Sequence, residues 1–165
     1  MLQPKVPPAK ERIASSFKQL STVSHDLNSA ATELGGAIYN LDIALSALGL
    51  GVSGWHQVAG SDDETDGSFW GRDIGYTQVG GKWGIAIRRR WGNNYRDDYS
   101  EETWLFSDAP RWMCIECVGK LPDLFEDLIK RTVETTAKLK AKASEVRELQ
   151  AAVAAASSEL ASELK

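Results

Sequence analysis

The residues in this chain whose types and spacing best suit chemistry are Arg72, Arg88, Arg89 and Arg90, with Trp70 and Trp91 at the outer ends of the same two segments. Guanidinium groups bind carboxylate and phosphate through paired donors, and indole faces stack on cations and on bases. What joins these residues is the run GYTQVGGKWGIAI, which reads as two strands linked by Gly80-Gly81, a two-residue turn whose positive φ values glycine accepts without strain. With Val79 paired to Lys82 the register follows by counting. Tyr76 faces Ile85, Ile74 faces Ile87, Arg72 faces Arg89 and Trp70 faces Trp91 on one side, the expected core side. On the other side Thr77 meets Gly84, Gly75 meets Ala86 and Asp73 meets Arg88. Like charges directly opposite on a sheet repel, so an anion belongs beside Arg72 and Arg89. Two sources are open: the nearby run Asp97, Asp98, Glu101 and Glu102, or a phosphate-bearing or nucleotide-like ligand held by the arginine and tryptophan face.

Other chemistry is thinly represented. Cys114-Ile115-Glu116-Cys117 has the spacing of half a zinc site, but the only histidines are His25 and His56, so the cysteines read as small core side chains and no metal or cofactor is expected. No G-x-S-x-G elbow, Walker loop or H-E-x-x-H occurs, so no catalytic residue is assigned and the chain reads as non-enzymatic. Gly71, Gly75, Gly80, Gly81 and Gly84 lack dinucleotide-loop spacing and read as turns and close packing. Asp62-Asp63-Glu64 with Asp66 reads as a solvated loop.

The elements that must position the arginines are two long helices and a β-rich insert. Ile13, Phe17, Leu20, Ser24, Leu27, Ala31, Leu34, Ile38, Leu41, Leu45 and Leu48 recur at alternating spacings of four and three. That is an a/d stripe along a helix of roughly 40 residues, about 60 Å long. Val23, Ala30, Ala37 and Ala44 widen it, as in a bundle. Gly35 and Gly36 suggest a bend or a close helix contact. After Pro122, which opens a second helix, the series Leu121, Phe125, Leu128, Thr132, Thr135, Leu139, Lys142, Val146, Leu149, Val153, Ala156, Leu160 repeats the spacing. Helices of similar length flanking an insert most simply fold back as an antiparallel hairpin. Aligning Leu48 with Leu121 then brings Ser24 and Lys142 to about the same level as a shared polar layer.

Within the insert, residues 55–59 and Thr103–Phe106 are expected to add short strands. A short helix over 109–118 follows, capped by Asp108, with Pro110 in its first turn and Gly119 ending it in left-handed geometry.

The chain has 165 residues, 42% hydrophobic and 25% charged, as expected of a globular protein. Its net charge of −4 is formally carried by residues 52–118, which argues against a duplex nucleic-acid partner. All six tryptophans lie in the same stretch. No run approaches a membrane span, and the start lacks a secretory apolar core, so no membrane partner and a cytoplasmic address are expected. The resulting class is α+β: a Pro-rich arm (1–10), a coiled-coil-like helix (11–50), a Trp-rich antiparallel meander with a short helix (51–119) and a long helix (120–165). The functional expectation is an oligomerising module. Leu20, Leu27, Leu34, Leu41, Leu48, Leu139, Val146, Leu149 and Val153 would meet a second copy or a partner helix, and the insert would present a recognition surface. Binding of a small phosphate-bearing or nucleotide-like anion is the alternative.

Overall fold

The computed structural model describes residues 8–163, with side chains described up to residue 159. The class is α+β: helix α1 (Ala9–Ala47), strands β1 (Gly54–Asp62), β2 (Ser68–Val79), β3 (Lys82–Asn93) and β4 (Asp98–Leu105), a 3-10 turn (Phe106–Asp108), and helices α2 (Arg111–Val118) and α3 (Leu121–Glu163). Ala9 and Lys10, read as the end of a Pro-rich arm, are already helical, with Pro8 preceding the first turn at φ −60°. Residues 1–7 of that arm lie outside the described residues.

The strands form one antiparallel meander in the order β1-β2-β3-β4. Gly80 and Gly81 turn at φ +57° and +84°, conformations that a side chain would strain. Every β2–β3 pair counted from that turn is present, from Val79 opposite Lys82 to Trp70 opposite Trp91. β1 pairs with β2, with an irregularity between Gln57 and Ala59. The strand expected at Thr103–Phe106 is longer and differently placed: Asp98–Glu102 belong to β4, and Phe106 has left it for the 3-10 turn. β4 sets Glu101 opposite Arg90 and Glu102 opposite Arg89, and Glu101 lies 3.7 Å from Arg88. Only Asp97, at φ 51°, keeps a turn conformation.

One face of the sheet is the core. Ile74, Tyr76, Ile85 and Ile87 are buried there against Ile38 and Leu45 of α1, Phe106, Met113 and Cys117 around α2, and Leu124 and Leu128 of α3. The stripe of each long helix therefore faces the sheet, with Leu34, Leu41, Leu121 and Phe125 packed at the margin of the same cluster. That corrects the expected hairpin. α1 lies against β3 and α3 against β1 and β2, and the two helices barely touch each other. The Ser24–Lys142 layer does not form; Lys142 instead pairs with Glu145 at 2.7 Å. Neither Gly35 nor Gly36 makes a close contact, since a β-carbon at either would meet nothing within 4 Å.

Asp42 ties α1 to the part of β3 that extends past β4: Ile85 N–H donates to its Oδ1 at 2.6 Å. Burial pushes the Asp42 carboxyl up, with that hydrogen bond acting in the opposite direction. The short helix differs from expectation at both ends. Pro110 is the residue preceding it, Asp108 lies in the 3-10 turn without capping it, and Gly119 has φ −64° rather than a left-handed value. The reason is the immediate start of α3: the chain continues through near-helical geometry, and Lys120 N–H donates to Cys117 O at 3.0 Å.

Candidate functional site

Strand parity divides the arginine cluster between the two faces of the sheet. Trp70, Arg72, Arg89 and Trp91 share the helix-bearing face, beyond the apolar core, whereas Arg88 and Arg90 share the opposite face with Asp73. The expectation that all six form one site is corrected accordingly.

On the helix-bearing face Arg72 lies between two indoles, its guanidinium carbon 4.9 Å from the Trp70 ring centre and 5.1 Å from that of Trp112. Its Nη2 is 2.9 Å from Glu116 Oε2. Its Nε is buried without a hydrogen-bond partner among the described residues. The anion beside Arg72 is thus Glu116 of α2, neither the acidic run on β4 nor a residue from the same sheet. Trp112 and Glu116 were missed as site residues, although their i,i+4 spacing places them on one side of a helix. Arg89 stacks on Trp91 at 4.8 Å, is exposed, and has no ion-pair partner among the described residues. With Trp70 and Trp112 at 42% and 48% exposure, this end of the sheet presents aromatic surface and one available cation.

The opposite face carries a closed polar network. Asp73 is 2% exposed and accepts from Arg88 Nε at 2.9 Å, Arg90 Nε at 2.7 Å and Arg90 Nη2 at 3.0 Å. The Asp73 carboxylate in turn raises the pKa of Arg90. Arg88 lies 4.2 Å over the Trp55 ring and 3.7 Å from Glu101. Tyr99 donates to Glu101, and that bond holds the Tyr99 phenol above its usual range. Gly75 and Gly71 leave room for Trp55 and Arg90 to cross the strand closely. Both arginines here are engaged within the chain.

The remaining chemistry-bearing residues are structural or dispersed. Cys117 is fully buried, and burial pushes its thiol up to about 11. Burial likewise raises Cys114, whose Sγ donates to Phe106 O at 3.4 Å. His56 joins β1 to α3, with Nδ1 2.8 Å from Asp127 and Nε2 3.6 Å from Asp123. Lys120 and His56 hold the Asp123 carboxyl low, the Lys120 hydrogen bond contributing most. No group of three or more His, Cys, Asp or Glu suited to a metal occurs among the described residues.

Exposed apolar residues also line the long helices. Beyond the sheet, Leu20 and Leu27 of α1 are 61% and 50% exposed, and Leu139, Val146, Leu149 and Val153 of α3 are all at least 60% exposed. Leu34 and Leu41 are packed against the core cluster instead, and Leu48 is exposed at the end of α1. Where the free part of α1 approaches α2, a groove of about 550 Å³ is lined by Leu27, Ala31, Leu34, Phe106 and Ile115 among others. No helix among the described residues is long and apolar enough to cross a membrane. No family model, curated protein or solved structure matches the chain.

Proposed function

We propose that this chain is a non-enzymatic, oligomerising module of the cytoplasm, in which the free arms of α1 and α3 assemble copies and the sheet is carried as a recognition head. One observation carries the reading. In each long helix the apolar stripe is covered by the sheet over its near part and left bare beyond it, from Ile13 to Leu27 in α1 and from Leu139 to Val153 in α3. Apolar residues repeated at heptad spacing over this length stabilise nothing while exposed, and water favours their burial on a partner. The arms do not supply that burial to each other within the chain, where these positions stay at least half exposed.

The aromatic end of the head, with Trp70, Trp91, Trp112 and the unpaired Arg89, is the surface this reading assigns to recognition. The anion-binding alternative is weaker in one respect: Glu116 occupies Arg72, so a phosphate would find Arg89 alone.

The reading is tested by Leu27→Lys combined with Leu149→Lys. Both positions are at least half exposed in the single chain, so the variant should fold and melt like the wild type. Sedimentation velocity is expected to show assembled wild type and a monomeric variant. Equal assembly of the two would overturn the reading.

A further inference from the structure

Two features that lie far apart in this chain suit each other chemically. The first is the run QPKVPP at 3–8, in which Pro4, Pro7 and Pro8 have φ fixed by their rings. Gln3, Val6 and Pro7 are each pushed to extended backbone by the proline that follows. Sequence alone thus biases every position of the run except Lys5 toward polyproline II. Pro8 has φ −60° and ψ 148°, within that region. A polyproline II segment makes no internal hydrogen bonds, so its carbonyls stay open to donors, and its stiffness means that little entropy is lost when it docks on an aromatic surface.

The second is the aromatic end of the sheet. Trp70 stands across from Trp91, and Trp70 and Trp112 flank the Arg72 guanidinium, so the three indoles belong to one surface. None of the three indole N–H groups has a hydrogen-bond acceptor among the described residues. Exposed rings that end in available donors suit a ligand offering proline rings and open carbonyls. Charge agrees as well. Glu102, exposed and opposite Arg89 on the same face, has no ion-pair partner among the described residues, and Lys5 is the one charged side chain of the proline run.

Resting on the assignment of this end of the sheet to recognition, we propose that it binds the proline run of a second copy of this chain, with prolines on the indole faces and the partner's Lys5 toward Glu102. The run does not reach the sheet of its own chain. Arg111, which precedes Trp112, donates to Asn28 Oδ1 at 3.1 Å. About 30 Å of helix, at 1.5 Å per residue, separates Asn28 from Pro8. Pro4 lies at most about 15 Å along the chain from Pro8, even fully extended. The run therefore stays near the tip of its own arm, and the aromatic end is open to the run of a neighbour.

The probe is a synthetic peptide of residues 1–10, titrated into the full-length chain carrying Pro4→Ala and Pro7→Ala, whose own run no longer competes. Saturable binding is expected, with tryptophan emission moving to shorter wavelength as the indoles are covered. Replacing both prolines of the peptide by alanine should weaken binding by at least about tenfold, the scale of one aromatic hot spot. Trp112→Ala or Trp70→Ala in the full-length chain should do the same, and both side chains are exposed enough for the fold to survive their loss. In a second measurement, a chain with Lys5→Cys mixed with a chain with Glu102→Cys should form a disulfide-linked pair under mild oxidation. A chain with both substitutions should link to other copies rather than close on itself. An unchanged emission at every peptide concentration, equal binding of the two peptides, or closure of the doubly substituted chain on itself would overturn the inference. Any of these with the wild type still assembled leaves the helical assembly intact, whereas a wild type that stays a single chain overturns assembly and this exchange together.

Discussion

Asp73→Ala is expected to destabilise the fold by about 3–5 kcal/mol, the usual cost of removing one partner from a buried ion pair. The Asp73 side chain is only 3% exposed, while Arg88 and Arg90 keep 20% and 29%. Deleting the carboxylate therefore leaves two guanidinium groups close together, against the sheet, with their Nε donors unpaired. Since a domain is commonly stable by only about 5–15 kcal/mol, the loss would be visible as a large drop in the urea midpoint. The network is not expected to stabilise the fold over an apolar alternative. Asp73→Leu with Arg88→Met and Arg90→Met should recover most of the loss, because no buried charge remains to be satisfied. A midpoint for Asp73→Ala near that of the wild type would show that the arginines rehydrate without cost.

The second large effect concerns Gly75, where the ordinary preference is reversed. Alanine in a strand normally improves on glycine by about 0.5–1 kcal/mol. Here a β-carbon would run into the Trp55 ring and come within 2.7 Å of the Gly54 carbonyl oxygen. Gly75→Ala is expected to cost about 1–3 kcal/mol through overpacking, and more if Trp55 is driven off Arg88. Thermal melting measures the cost, and near-ultraviolet dichroism reports the displaced indole. Trp55→Ala in the same chain should relieve part of it, so the two changes together should cost less than their sum. Strict additivity would mean that Trp55 does not press on Gly75.

The ease with which the hairpin could be read, and the difficulty of the rest, have physical causes. Gly80-Gly81 sets a local turn, and strand parity then carries the pairing outward without further information, which is why Arg72 stands opposite Arg89 and Asp73 opposite Arg88. The same parity placed Arg88 and Arg90 away from Arg89, so the division of the arginine cluster was already implied by the register. Glu116 was out of reach, because it comes from a helix whose docking depends on tertiary packing. The acidic run at Asp98–Glu102 has a loop-like composition, yet it pairs with β3 across from Arg89 and Arg90.

The helical stripes teach the complementary lesson. Periodicity reports that one side of a helix is to be buried, and is silent on what buries it. Leu34, Ile38, Leu41 and Leu45 continue the stripe that begins at Ile13, but they join a core built on the sheet rather than a seam along α3. The expected hairpin placed α3 where the core on the sheet lies instead. The unburied remainder of that face is what makes assembly the central claim.

The most direct test is the absolute mass of the wild-type chain by light scattering over a concentration series. The assembly account requires a mass that settles at an integral multiple of 18.1 kDa, at least twice that value, and falls only on dilution. A mass of 18.1 kDa at every concentration would contradict it.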